Sequence, residues 1–152
     1  MSSNKKDTLD FLVITGPTAS GKTKIATTIA YKFNAEIISA DSRQIYTGMN
    51  IGTGKDLDEY IINNQKIPYH LIDILDPKQN YSVYQFQRDF IASYNKIRNK
   101  SKLPILCGGT GLYIESILLK YKLQNAPGPN EELRNSLKNK SKEQLLDLFK
   151  DI

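Results

Sequence analysis

With 152 residues the chain has enough length for one domain with a real core, and its 39% hydrophobic and 24% charged residues are ordinary for a globular protein. No apolar run approaches the roughly 20 residues of a membrane-crossing helix, the polar start Met1–Lys6 lacks the apolar centre of a signal peptide, and the single cysteine, Cys107, excludes an internal disulfide. A cytoplasmic, monomeric protein with no membrane partner is therefore expected, and its net charge of +5 is unevenly placed: residues 1–76 carry 8 basic and 9 acidic side chains, residues 77–152 carry 13 and 7.

The first predicted element is a buried strand over Leu9–Thr15, ended by Gly-Pro. From Lys22 to Phe33, the apolar residues Ile25, Ala26, Ile29, Ala30 and Phe33 recur at three- and four-residue steps, which predicts an amphipathic helix. A second strand over Ala35–Ala40 then closes a parallel crossover. Residues 46–66 read as a polar, glycine-containing mobile loop with one helical turn near Leu57–Ile62, and Pro68–Asp73 as a short third strand. Ser82-Val83-Tyr84-Gln85 has the form of a capping box, and the stripe Phe86, Phe90, Tyr94, Ile97 marks a long helix. Lys96, Arg98, Lys100 and Lys102 cluster at its end. RNA would be attracted there, but no aromatic residues interleave the lysines, so charge alone favours a solvated face. Leu103–Cys107 reads as another buried strand and Leu112–Leu119 as a helix. The polar stretch Gln124–Asn130 precedes two weaker helices, Glu131–Leu137 and Lys142–Phe149, the latter with a capping box at Ser141–Gln144. The order of elements predicts an α/β fold of the P-loop NTPase or nucleotide-kinase-like type, a parallel sheet of at least four strands with helices on both faces. Its core domain would span 8–123 and a helical extension 124–152.

The run Gly16, Pro17, Thr18, Ala19, Ser20, Gly21, Lys22, Thr23 fits the pattern G-x-x-x-x-G-K-[ST] and falls between a predicted strand and a predicted helix, where a phosphate-binding loop belongs. Glycines let several backbone N–H groups face one concavity, the helix N-terminus adds its dipole, Lys22 adds a full charge, and the Thr23 hydroxyl is suited to a magnesium shell. Asp41-Ser42-Arg43-Gln44 follows the second strand, on the same expected carboxyl edge. Asp41 there has either a role on the reacting group or that of a turn aspartate, and the residues alone leave both open. Gly108-Gly109-Thr110-Gly111 ends another strand on that edge with a glycine turn and a hydroxyl, where an ATPase would commonly carry a magnesium-binding aspartate. Thr110 then has either a contact to phosphate or a helix N-cap as its role. His70, the one histidine, falls in a predicted strand, which favours a packed or hydrogen-bonded side chain over an acid or base, and Cys107 reads as a small core residue.

Taken in order, the glycine loop, Ser39–Tyr46, Met49-Asn50-Ile51-Gly52-Thr53-Gly54-Lys55, His70-Leu71-Ile72-Asp73, Asp76-Pro77, Tyr81-Ser82 and Gly108–Tyr113 resemble the tRNA dimethylallyltransferase family, also called tRNA isopentenyltransferases. The resemblance implies transfer of a five-carbon allyl group from dimethylallyl diphosphate to the exocyclic amine of an adenosine beside the anticodon, with diphosphate leaving. It makes Asp41 the general base and Thr110 the catalytic threonine beside the bridging oxygen. Lys22, Thr23 and Mg2+ would stabilise the diphosphate, and Asp41, Ser42, Arg43, Gln44, Thr110 and Arg134 would contact the tRNA anticodon stem-loop. Family members run to about twice this length, and the further part carries more tRNA-binding surface and a catalytic arginine. Tyr69 stands where many members have a second histidine. Two other readings compete: a small-molecule or nucleotide kinase built on the same loop, disfavoured by the absence of an arginine-rich lid, and a non-catalytic RNA- or nucleotide-binding fragment.

Overall fold

The structure, a computed structural model, describes residues 10–123 and 130–150. Leu9 at the start of the first predicted strand and residues 124–129 of the predicted linker lie outside the described residues. By its contacts the chain divides into two compact units, Met1–Tyr121 and Lys122–Ile152.

The first unit is built on strands β1 (Leu12–Thr15), β2 (Glu36–Ser39), β5 (Tyr69–His70) and β6 (Pro104–Gly108) and helices α1 (Lys22–Phe33), α2 (Val83–Arg98) and α3 (Gly111–Leu118). A two-stranded hairpin, β3 (Ile61–Ile62) and β4 (Gln65–Lys66), stands apart from the main sheet. The main sheet is parallel with order β1-β6-β2-β5. β1 and β2 are thus parallel but not neighbours: β6 lies between them, with Val13 opposite Leu106 and Ile38 opposite Leu106. All residues of β2 and β6 are buried, as expected for strands covered on both faces.

Alternation along the strands divides the core in two. Ile38 and Leu106 face Phe86, Phe90, Tyr94 and Ile97 of α2 and Tyr113, Ile114 and Ile117 of α3, while Ile37, Ile105 and Cys107 face Ala26 and Ala30 of α1. α2 begins with both hydrogen bonds of the capping box, Ser82 Oγ accepting from Gln85 N and Gln85 Oε1 accepting from Ser82 N. Its aromatic stripe meets α3 through a stacked Phe86–Tyr113 pair with centroids 4.2 Å apart.

Residues 46–66 hold the helical turn expected near Leu57–Ile62 but replace part of the expected loop with a hairpin. They form a 3-10 turn, Leu57–Tyr60, with Tyr60 buried, and then the β3–β4 hairpin. Asn63 (φ 51°) and Asn64 (φ 61°) make its turn in the left-handed region that a two-residue hairpin loop requires and that asparagine tolerates. The third predicted strand is shorter than Pro68–Asp73, because Leu71 (φ 62°) and Asp73 (φ 54°) turn left-handed after Tyr69–His70. Parallel pairing resumes at Tyr46 and Leu75.

In the second unit, α4 (Glu131–Leu137) is capped by Asn130, whose side chain accepts from Leu133 N at 2.9 Å. α5 (Lys142–Lys150) carries the predicted capping box, with Ser141 N donating to Gln144 Oε1 and Gln144 N donating to Ser141 Oγ.

Candidate functional site

β1, β2 and β6 run in one direction and therefore end on one edge, where three segments meet. β1 delivers the glycine loop. Gly21, at φ 78°, forms the N-cap of α1 without a side-chain cap bond, which leaves the helix N-terminus facing the loop's concavity. Ala19 also turns left-handed at φ 62°, an unusual backbone for alanine and a feature that clusters at ligand-binding turns. Lys22 Nζ donates to Pro17 O across the loop.

β2 ends at Ser39, and Asp41 follows Ala40. Its carboxylate accepts from Arg43 N at 3.0 Å, lies 3.6 Å from Arg43 Nε, and keeps 17% side-chain exposure. Arg43 Nη2 reaches Thr18 Oγ1 at 3.4 Å, which ties this turn to the glycine loop. Gln44 is fully engaged, its Oε1 accepting from Ser39 Oγ at 2.9 Å and its Nε2 donating to Gly54 O at 3.0 Å.

β6 ends at Gly108, where a Cβ would lie 2.2 Å from Ala40 O, so only glycine fits against the end of β2. Two residues on, Thr110 N donates to Ala40 O at 3.0 Å. The Thr110 hydroxyl accepts from Ser42 N at 2.9 Å and donates to Ser42 Oγ at 3.3 Å, and it makes no side-chain cap bond to α3. Thr110 thus stands beside Asp41 on the same edge as the glycine loop.

An open cavity of about 220 Å³ occupies this edge. Thr18 through Thr23 form one side, with Asp41, Arg43 and Gln44 beside them. The opposite wall comes from Thr53, Gly54, Asp56, Glu59 and Tyr60, residues to which the sequence reading gave no role. The motif Met49–Lys55 and the asparagine pair of the hairpin were the available signals for an ordered wall. The Thr23 hydroxyl in this lining is an oxygen of the hard type that suits Mg2+, while among the described residues no three carboxylate, histidine or cysteine side chains come together as a metal site. Cys107 sits at the floor, and burial pushes its thiol up to about 11, so it is a core residue without thiolate character. Burial likewise raises the Tyr60 hydroxyl pKa.

Gly16, Pro17, Ser42 and Thr110, although expected in the site, are not among the residues that line this cavity. Arg134 belongs to α4 in the second unit, exposed and 3.5 Å from Glu131. His70 Nε2 lies 2.9 Å from Glu36 Oε2 at the other edge, where Lys100 and Lys102 also approach Glu36, at 2.9 and 3.1 Å. The predicted solvated lysine face is corrected in part by this: two of its four cations neutralise a buried carboxylate. Burial alone would raise the Glu36 pKa, but the bonds from His70, Lys100 and Lys102 outweigh it and hold the group at about 2.

The sheet order, the helices on both faces and the glycine loop at the carboxyl edge define an α/β protein of the P-loop NTPase type. Within that class the chain belongs to the IPP transferase family, whose profile matches residues 44–152. It is 57% identical over 140 residues to tRNA dimethylallyltransferase 2 of Phocaeicola vulgatus, covering 92% of this chain and 45% of that protein. Among solved structures, the full-length tRNA isopentenylpyrophosphate transferase of Bacillus halodurans matches at 35% identity and TM-score 0.71, covering 95% of this chain and 48% of that one. A eukaryotic dimethylallyltransferase acting on tRNA matches at 26% identity and TM-score 0.73, covering 93% and 35%. The chain thus spans about half the length of the curated relatives it matches.

Proposed function

We propose that this chain carries the phosphate-binding and proton-abstracting half of a tRNA dimethylallyltransferase. The observation that supports this most directly is the convergence of the glycine loop, Asp41 and Thr110 on one sheet edge, in a member of this family. The substrates would be dimethylallyl diphosphate and an adenosine in a tRNA anticodon loop.

In the reaction the exocyclic amine attacks the allylic carbon, the C–N bond forms as the carbon–oxygen bond breaks, and diphosphate leaves. The amine's lone pair is delocalised into the adenine ring, so a carboxylate that accepts its proton lowers the barrier, and Asp41 is that base. Lys22 and the backbone N–H groups of Thr18–Thr23 meet the charge that develops on the diphosphate. Mg2+ held through the Thr23 hydroxyl would neutralise part of that charge. Thr110 orders the Asp41 turn through Ser42, and in this reading its hydroxyl would contact the bridging oxygen. Residues 8–123 would hold this chemistry, and 124–152 would begin the RNA-binding part with Arg134.

The target base must leave its stack, which costs a few kcal/mol and least in a single-stranded loop. Incubating a version extended to the length of its relatives with a tRNA anticodon stem-loop, Mg2+ and labelled dimethylallyl diphosphate tests the reading, with label on the adenosine as the expected result, while this chain alone is expected to bind the diphosphate. A nucleoside triphosphate would use the same loop, so competition between ATP and dimethylallyl diphosphate separates prenyl transfer from a kinase. Failure of the diphosphate to bind would overturn the proposal.

A further inference from the structure

Met49–Lys55 has no role in the chemistry above, yet unlike the other motifs without one it supplies residues, Thr53 and Gly54, to the cavity wall. Three glycines with positive φ, Gly48 (76°), Gly52 (74°) and Gly54 (65°), allow its tight course. It is held from within. Thr53 Oγ1 donates to Met49 O at 2.8 Å, and the Lys55 side chain, 1% exposed, runs beneath the loop. Lys55 Nζ donates to Tyr46 O at 2.8 Å and to Asp73 Oδ1 at 2.5 Å, with Asn50 Oδ1 at 3.5 Å.

These bonds form part of a closed ring. Asp73 N donates to Gln44 O at 3.0 Å, Gln44 Nε2 donates to Gly54 O at 3.0 Å, and the neighbouring Lys55 returns to the Asp73 carboxylate. Gln44 N in turn donates to Asp41 O at 3.2 Å. The ring therefore joins the turn that carries Asp41, the cavity wall and the segment after β5. Asp73 takes part in a left-handed conformation (φ 54°), which persists where the surroundings over-determine it. A buried ammonium is costly, and the sheet does not need one at this place for its apolar packing.

We propose that Lys55, through Asp73, is a positioning residue that sets the separation between the cavity wall and the Asp41 turn, and so the width of the phosphate pocket. This rests on the phosphate-binding reading of that pocket. A pair with its ammonium buried and its carboxylate 30% exposed that acted only on stability would be replaceable by a neutral pair of similar shape. A positioning pair would not, because uncharged side chains do not fix the ring's geometry.

The test uses this chain with inorganic pyrophosphate and Mg2+ as the probe. Calorimetry gives affinity, thermal unfolding gives Tm, and hydrogen exchange reports on residues 46–60. Lys55→Met is expected to lower Tm, speed exchange in 46–60 while the amides of β2 and β6 stay protected, and weaken pyrophosphate by about tenfold. In Lys55→Met with Asp73→Asn, which removes the stranded carboxylate and keeps a residue that tolerates left-handed backbone, Tm is expected to recover while affinity stays low. Affinity that returns with Tm would overturn the proposal, as would unchanged affinity and exchange in the single variant. If the parent itself does not bind pyrophosphate, the phosphate reading fails, and the exchange comparison alone decides whether Lys55 orders the wall.

Discussion

At the amino edge of the sheet Glu36 is 1% exposed and meets His70, Lys100 and Lys102, whereas at the carboxyl edge Asp41 keeps 17% exposure and spends its hydrogen bond on its own turn. Both are carboxylates with basic neighbours at or near an end of β2, yet their surroundings differ. Around Glu36 every partner converges on one carboxylate, so its charge is used up in holding β2, β5 and the end of α2 together. Around Asp41 the partners hold the backbone and leave the carboxylate at the rim of a cavity. A charge whose partners are complete serves stability, and one that is held in place but incompletely paired is free for chemistry.

The largest expected effect probes the open edge. In a version extended to the length of its relatives, Asp41→Asn should lower the single-turnover transfer rate by about a hundred- to ten-thousandfold, as loss of a general base does, while calorimetry with a non-reactive diphosphate analogue shows little change. Transfer near the parent rate would reduce Asp41 to a turn residue.

The closed edge should respond in stability instead. Glu36 has its pKa depressed from about 4.5 to about 2, so its stabilisation is present in full above about pH 4.5 and lost as pH falls through 2. That difference corresponds to about 3 kcal/mol. Glu36→Gln should therefore lower the denaturant midpoint at pH 7 and flatten the loss of stability between pH 4.5 and 2, with pyrophosphate affinity unchanged below the unfolding temperature. A variant that loses affinity at full stability would break the contrast between the edges.

Lys22→Ala should weaken dimethylallyl diphosphate by roughly ten- to a hundredfold, the worth of one charge-assisted hydrogen bond, with Tm preserved. The smallest effect belongs to the junction: Gly108→Ala forces a Cβ into Ala40 O, and overpacking of this kind costs about 1–3 kcal/mol. Because Ala40 precedes Asp41, the same variant should also weaken diphosphate binding, and it is the one change among these expected to lower stability and affinity together.

Much of this molecule is written in local pattern. Helix α1 runs from Lys22 to Phe33 as its periodicity predicts, α2 starts at the Ser82–Gln85 capping box, and the buried runs of β2 and β6 are strands. The glycine loop and the order of motifs carried the family resemblance, and the chain belongs to that family. These features depend on residues one to four apart, where propensity, capping and turn chemistry act, so the sequence alone determines them. Tertiary structure decided the rest. Nothing local puts β6 between β1 and β2, brings Thr110 to Ser42 across 68 residues, or buries Lys55 against Asp73 and Glu36 against two lysines. Such pairs join residues far apart in the chain, and their charges read as solvated in any local window. Only the closing of the sheet removes water from them, and with water gone each buried charge must find its partner in the fold.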